Sequence, residues 1–301
     1  MYFIANPAAG RGRGRKVLNA LHSLLQPEDT LVVSQGPGDC ERLAADATAA
    51  GQPAVTVIGG DGTLGEVVNG IASAGFSAAL GVLPVGTAND FAIYVGVPND
   101  LERALAIVRA GHTRRVDLGV VVREGCRRYF ATTVGAGLNA IIAGLSQNEA
   151  DKAVGSPLTY LRTLAGELFR YRPIELELAA EGVSFRGPVL MTSISNGEQE
   201  GGIFKLAPGA QVDDGFLHLL IIEGMPTWLR PWYILQSVWR GTSRMARTQL
   251  HPVKAVTLRT VEPTPFYVDG ELDPLPADET VEIYVQERKL TALAPQQRGE
   301  P

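Results

Sequence analysis

Residues 59–63, Gly-Gly-Asp-Gly-Thr, set three glycines around one carboxylate. The β-branched run Val55, Thr56, Val57, Ile58 before them reads as a buried strand. Thr63 reads as a helix start, with Glu66 three residues on at the capping-box spacing. Glycines between a strand end and a helix start let the backbone approach a bulky anion, and the helix N-terminus adds partial positive charge. A carboxylate beside phosphates would repel them unless it acts through a Mg²⁺ ion or handles the proton of an attacking hydroxyl. The competing account is a tight turn in which Asp61 only accepts backbone N–H groups. The strand–GGDGT–helix setting favours phosphate chemistry over that turn.

Two further segments could serve the same chemistry. Asn6-Pro7-Ala8-Ala9-Gly10 follows an apparent first strand and leads into Arg11-Gly12-Arg13-Gly14-Arg15-Lys16. The glycines permit a loop close to a polyanion, and the cations supply charge. It is no Walker A loop, because Lys16 follows Arg15 and precedes Val17. Pro84-Val85-Gly86-Thr87-Ala88-Asn89-Asp90-Phe91-Ala92 follows a fourth strand in the same way. There Thr87 could donate to a phosphate and Asp90 adds a carboxylate, although Thr87 could equally cap a short helix.

The elements that must position these loops alternate. Strands over 1–5, 30–34, 55–58 and 79–83 are separated by helices over about 17–25, 39–50 and 63–73. That alternation predicts a parallel sheet covered on both faces, with ligands beyond the carboxyl ends of its strands. After a helix over 101–110 the pattern becomes strand-rich, over 129–134, 174–179, 189–195, 217–222, 253–260, 281–285 and 289–293. A boundary near Leu118 and a largely antiparallel second domain follow. Gly135-Ala136-Gly137-Leu138-Asn139-Ala140 fits the dinucleotide fingerprint, but its surroundings do not alternate as that fold requires.

Composition bounds the rest. With 301 residues, 45% hydrophobic and 20% charged, the chain has room for two cores. A net charge of −5 argues against nucleic acid as a partner. Cys40 and Cys126 show no metal or disulfide spacing, which fits a reducing cytoplasm. The N-terminus lacks the basic and apolar regions of a signal peptide, and no run reaches the roughly 18 apolar residues of a membrane span.

Residues 59–63 resemble the signature shared by diacylglycerol/sphingosine-type lipid kinases, NAD kinases and phosphofructokinases. Residues 86–92 resemble the lipid-kinase pattern G-T-x-N-D-F-A. Residues 196–208, the stretch Gln211-Val212-Asp213-Asp214-Gly215-Phe216 and the stretch Phe266-Tyr267-Val268-Asp269-Gly270-Glu271 resemble lipid-kinase segments in order and spacing. The resemblance runs from Asn6 to Glu271 and points to the bacterial soluble diacylglycerol kinase-like branch. It implies an α/β N-terminal domain with a parallel sheet, NAD kinase/phosphofructokinase-like, over 1–118, to which about 286–301 returns. A largely antiparallel, β-rich lipid-substrate domain would occupy 119–285.

By that resemblance the activity would be ATP- and Mg²⁺-dependent phosphorylation of a hydroxyl on a diacylglycerol- or sphingoid-like lipid. The protein would be cytoplasmic, would visit the membrane transiently from the water side, and could form a homodimer. ATP would contact Asn6, Pro7, Ala8, Ala9, Gly10, Ser34, Gly60, Asp61, Gly62, Thr63, Leu64, Gly65, Glu66 and Thr87. Asp214 would hold a Mg²⁺ through its side chain, with carbonyls from Gln211 and Phe216, and Asp90 would join the surrounding network. Either Glu271 or Asp61 could accept the hydroxyl proton; the working assignment makes Glu271 the base and Asp61 the ligand of ATP-bound magnesium. The chain departs from the family pattern at Ala9, commonly Ser; Ser34, commonly Thr; Gly65, usually Asn; and Ile203, which interrupts a triple glycine. Two other readings compete: an NAD kinase, which does not account for residues 86–92, Asp214 and Glu271 together, and a non-catalytic lipid-binding protein with a relic nucleotide site.

All three tryptophans fall within residues 228–239. On a helix, Trp228, Trp232, Leu235 and Trp239 share one face, with Arg230, Arg240, Arg244 and Arg247 in or just beyond it. Packing of these rings in the second domain's core is the favoured expectation; an interfacial helix on anionic lipid is the alternative.

Overall fold

The computed structural model describes residues 1–10, 12–147, 166–239, 241 and 245–296. The chain divides into two compact units: Met1–Leu118 with Val212–Gly215 and Gln286–Pro301, and Gly119–Gln211 with Phe216–Val285.

The first unit is the α/β one. Strands β1 (Tyr2–Ala5), β2 (Thr30–Val33), β3 (Ala54–Gly59) and β4 (Ala79–Pro84) are all parallel, in the order β2-β1-β3-β4. Helices α1 (Arg13–His22), α2 (Asp39–Ala49) and α3 (Asp61–Ser73) cross between them. Phe3, Ile4, Val55, Val57 and Ile58 are fully buried, as strands covered on both faces require. α2 and α3 approach closely at Gly70, where a Cβ would stand 2.2 Å from the Glu41 carbonyl oxygen. Because β1 connects outward to β2 while β3 lies on its other side, the order reverses at β1/β3. The crevice beyond their carboxyl ends is where such sheets hold ligands. Two shorter helices follow β4: α4 (Asp90–Tyr94) and α5 (Leu101–Ala110).

Two helix starts differ from the sequence reading. α1 begins at Arg13, four residues before the expected start, so the basic stretch forms its first turn. α3 begins at Asp61 behind Gly60, so Glu66 lies a full turn beyond the position from which it could close a capping box. Its carboxylate instead accepts from Gly38 N at 3.0 Å and Cys40 N at 3.1 Å, at the start of α2.

The second unit is antiparallel. Strands β7 (Thr133–Gly137), β8 (Ile174–Ala180), β9 (Val183–Ser195), β10 (Leu217–Glu223), β11 (Thr248–Val253), β12 (Ala255–Thr260), β13 (Phe266–Val268) and β14 (Glu271–Leu272) pair in the order β14-β13-β7-β9-β8-β12, with β10 also on β9 and β11 on β10. Strands β5 (Thr113–Arg123) and β6 (Cys126–Phe130) form a hairpin. One cluster contains Phe130, Val134, Ile194, Leu219, Leu258 and Phe266. A second, under α6 (Leu138–Gln147), contains Leu138, Leu190, Leu206, Leu220, Ile222 and Met225. The dinucleotide-like Gly135–Ala140 run does lie at a strand-to-helix junction, but β7 is antiparallel to both neighbours. The space above Gly135 is filled by Asn139 and Tyr267, which a Cβ there would meet at 2.3 and 2.5 Å.

The two strand pieces expected over 281–285 and 289–293 are one continuous strand, β15 (Thr280–Leu293). Its first half pairs with β12, and Ala292 near its end pairs with Leu80 of β4.

Trp228 and Trp232 overturn the core-packing expectation, and the side chain of Trp239 lies outside what the structure describes. Trp228 lies in a single 3₁₀ turn, Thr227–Leu229, and Trp232 and Leu235 lie in α7 (Arg230–Trp239). They are 74%, 56% and 49% exposed. Arg11, Arg240 and Arg244 lie outside the described residues.

Candidate active site

Three Gly-containing loops, each leaving the carboxyl end of a parallel strand, meet in the first unit. Asn6 is fixed at the end of β1: its N–H bonds the Ile58 carbonyl at 3.0 Å, its Nδ2 donates to Thr63 Oγ1 at 3.0 Å, and its Oδ1 accepts from Ala8 N at 2.9 Å. One asparagine thus ties the first loop to the second. Gly10 has φ +60° and sits so close to the third loop that a Cβ would lie 1.9 Å from the Val85 oxygen. Gly60 and Gly86 are in mutual contact, since a Cβ on Gly86 would stand 2.6 Å from Gly60 Cα. Arg13 closes the set, donating to the Gly10 carbonyl at 3.0 Å and to the Gly86 carbonyl at 2.7 Å.

Asp61 heads α3, where the helix N-terminus favours a negative charge. It is half-buried, and its Oδ1 accepts from Phe91 N at 3.3 Å, in the first turn of α4. Asp90 is 5% exposed at that same turn. α4 is entered through Asn89 in the left-handed region, φ 58°, whose Nδ2 donates to the Gly86 carbonyl at 3.1 Å. Thr87 is therefore not its cap and is exposed. Among the other nucleotide candidates, Pro7, Ala9, Gly60 and Gly62 are half-buried and Ala8 is exposed, whereas Leu64 (2% exposed), Gly65 and Ser34 are buried. Glu66 is occupied at the start of α2.

A second acidic locus surrounds residues 212–215. Asp213 makes a two-pronged ion pair with Arg114, at 2.6 and 2.9 Å. Asp117 accepts from Gly215 N at 2.8 Å and Arg288 N at 2.5 Å. Burial pushes its carboxyl above the ordinary range, the two N–H groups oppose that, and the charges of Asp214 and Asp213 add to it. Among the described residues no group of three or more His, Cys, Asp or Glu side chains forms a metal cage. A site of one carboxylate with backbone carbonyls needs no such cage, and hard oxygen donors of this kind suit Mg²⁺ with retained waters. Asp214 belongs to the first unit, and Gln211 and Phe216 flank it in sequence as parts of the second.

In the second unit, Glu271 follows the two-residue turn Asp269-Gly270, both at positive φ (47° and 85°), between the paired residues Val268 and Glu271. The Asp-Gly is a hairpin turn, and more than that. The Asp269 carboxylate is buried and accepts from Ala131 N at 2.9 Å, Thr132 N at 2.8 Å, Thr132 Oγ1 at 2.6 Å and Thr133 N at 3.3 Å. Burial raises its pKa and these donors oppose the rise. The turn that carries Glu271 is thereby pinned. Glu271 itself is about half exposed and pairs with Arg128 at 3.2 Å.

Sequence reasoning missed Arg13 as a clamp, Asp269 as an anchor and Arg128 as a partner. Only Arg13 had a signal, its place in the basic run after the first loop.

The comparisons with known proteins follow these two halves. Residues 1–121 match the family model described as Diacylglycerol kinase catalytic domain, and residues 132–286 match the YegS C-terminal NAD kinase beta sandwich-like domain. A Klebsiella pneumoniae protein named "Probable lipid kinase YegS-like" is 32% identical over 218 residues, 71% of this chain and 72% of that one. A protein of Staphylococcus aureus (strain MRSA252) named diacylglycerol kinase is 29% identical over 272 residues, 89% of this chain and 84% of that one. A crystal structure described as a diacylglycerol kinase from Bacillus anthracis superposes with a TM-score of 0.73 at 22% identity, covering 98% of this chain and 96% of that one. That likeness shows a shared fold. Together, the two family models across both units and the relatives place this chain in the bacterial diacylglycerol kinase-type lipid kinase family.

Proposed function

We propose that the chain is an ATP- and Mg²⁺-dependent lipid kinase that phosphorylates a hydroxyl of a diacylglycerol- or sphingoid-like lipid. The observation that carries this reading is the meeting of three Gly loops at the β1/β3 reversal, with Asp61 at the head of α3. Backbone N–H groups at glycines can approach phosphate oxygens, and Asn6, Thr63 and Arg13 hold the loops in register with one another.

In the proposed reaction the lipid oxygen forms a bond to the γ-phosphorus, the bond from that phosphorus to the β–γ bridging oxygen breaks, and ADP leaves. The hydroxyl proton passes to the Glu271 carboxylate, which the pinned Asp269 turn presents beside Arg128. Asp61 serves the transfer centre as a metal-directed carboxylate. Asp214, with carbonyls of Gln211 and Phe216, would hold a Mg²⁺, and Asp90 would join that network. Bound magnesium would spread the charge developing on the phosphates. Units Met1–Leu118 and Gly119–Gln211, with their returning segments, would act as nucleotide and lipid halves.

The test incubates purified protein with labelled ATP and Mg²⁺, adding a lipid extract, NAD or neither. Label in the organic phase is expected; label in NADP would favour an NAD kinase, and none would favour a relic site. Asp61→Ala should abolish transfer. Glu271→Gln should lower kcat by about 10²–10⁴-fold, the span of general-base effects, with ATP binding retained; unchanged turnover would exclude Glu271 as the base.

A further inference from the structure

We propose that the turn Thr227–Leu229 and α7, together with residues 168–172, form an anchor that seats on the surface of an anionic phospholipid bilayer. The proposal deepens the lipid-kinase reading and rests on it for the site's purpose.

Of ten exposed large hydrophobic residues among the described ones, four lie in these two short segments: Phe169 (52%), Trp228, Trp232 and Leu235. The segments are adjacent because buried Arg230 clips them. Its Nη1 donates to the Leu168 carbonyl at 2.7 Å and the Tyr171 carbonyl at 2.8 Å, and its Nη2 reaches the Met225 carbonyl at 3.5 Å. Leu168, Met225 and Leu229 root the pair in the second unit's core. The inner face is therefore already partnered, and the spacing 228, 232, 235 puts the exposed rings and Leu235 on one outward stripe.

Charge selects the occupant. Apart from the buried Arg230, residues 224–250 contain Arg240, Arg244 and Arg247 and no Asp or Glu, in a chain whose net charge is −5. Arg170, Arg172 and Arg247 are exposed. Indole rings with interspersed arginines suit the headgroup–acyl boundary of an anionic leaflet, where the rings insert and the guanidinium groups meet phosphates. No helix among the described residues is long and apolar enough to span a bilayer, so this attachment would be shallow and reversible.

The experiment sediments the full chain with vesicles of phosphatidylcholine, alone or with phosphatidylglycerol added. It compares the wild type with Trp228→Ala/Trp232→Ala and with Arg170→Ala/Arg172→Ala. The tryptophan pair should lose about tenfold or more in partitioning. The arginine pair should lose binding only on the phosphatidylglycerol vesicles and only at low salt. Phosphorylation of a short-chain, water-soluble diacylglycerol should stay unchanged in both variants while phosphorylation of vesicle-borne lipid falls. Unchanged sedimentation of the tryptophan pair, with an unaltered circular dichroism spectrum, overturns the anchor. So does a fall in oligomeric mass on substitution, which would assign the patch to self-association. Vesicle binding that depends on the tryptophans in a protein that phosphorylates no lipid would keep the anchor and sink the kinase reading.

Discussion

Glu200 carries a carboxyl group that accepts from Ser193 Oγ at 2.8 Å and bonds Tyr267, in a setting where burial raises its pKa. In the unfolded chain the group titrates near 4.5. Between that value and its higher folded one, the folded state keeps a proton that the unfolded state has released. Stability is therefore full below the unfolded value and falls as pH rises through the folded one. Glu200→Gln should remove this slope, so its urea midpoint should gain on the wild type as pH rises; parallel pH profiles would refute the assignment. Glu66 gives a second residue-scale expectation. Glu66→Ala strips two acceptors from the start of α2, whose Gly38 cap has no side-chain oxygen, and should cost about 1–2 kcal/mol in urea unfolding. Asp61 was legible in the sequence because its glycines and flanking periodicities are local. The bond from Arg13 to Gly86 spans 73 residues and that from Arg128 to Glu271 spans 143, and no local pattern encodes such partners. Glu66 shows the same limit in reverse: its spacing looked local, and its partner lies on another helix.

At the scale of elements, the candidate site depends on loops that touch through glycine. A methyl group at Gly86 would stand 2.6 Å from both Gly60 Cα and Asn89 Oδ1, and backbone cannot yield there without moving the head of α3. Gly86→Ala should cost about 1–3 kcal/mol and weaken ATP binding measured by calorimetry. Gly36→Ala, in open space, is the matched control and should leave both unchanged. ATP affinity equal to wild type in Gly86→Ala would show that the three-loop junction is not the phosphate cradle. The parallel strands were legible because burial on both faces gives continuous apolar runs, as in β3. The start of α1 was not, because Arg13, Gly14, Arg15 and Lys16 carry no apolar period and the helix is set there by contact: a Cβ on Gly14 would lie 2.4 Å from the Asn6 carbonyl oxygen. β15 was divided for a related reason. Gln286, Glu287, Arg288 and Lys289 interrupt its apolar pattern, yet Arg288 N is bonded to Asp117 in the middle of the strand.

For the molecule as a whole, β15 makes the first unit depend on residues more than 200 positions beyond β4, the last of its four parallel strands. After Val285 the chain contributes Leu290, Ala292, Leu293 and Ala294, each 4% exposed or less. Ala292 pairs with Leu80 on β4, Ala294 N bonds the His112 carbonyl at 3.0 Å, and Arg115 donates to the Arg288 carbonyl and to Thr291 Oγ1. Burying the two leucines alone is worth about 1.5–3 kcal/mol each, against a typical domain stability of about 5–15 kcal/mol. Removing the strand would also leave β4 as an uncovered edge with unpaired backbone groups. A chain ending at Val285 should therefore lose the first unit's cooperative unfolding transition and its ATP binding. A chain ending at Pro295 keeps every one of these contacts and should match the full chain in both. Thermal circular dichroism and calorimetry of the two truncations decide it; a wild-type transition and wild-type ATP affinity in the shorter chain would mean that the first 118 residues hold their fold without the returning strand.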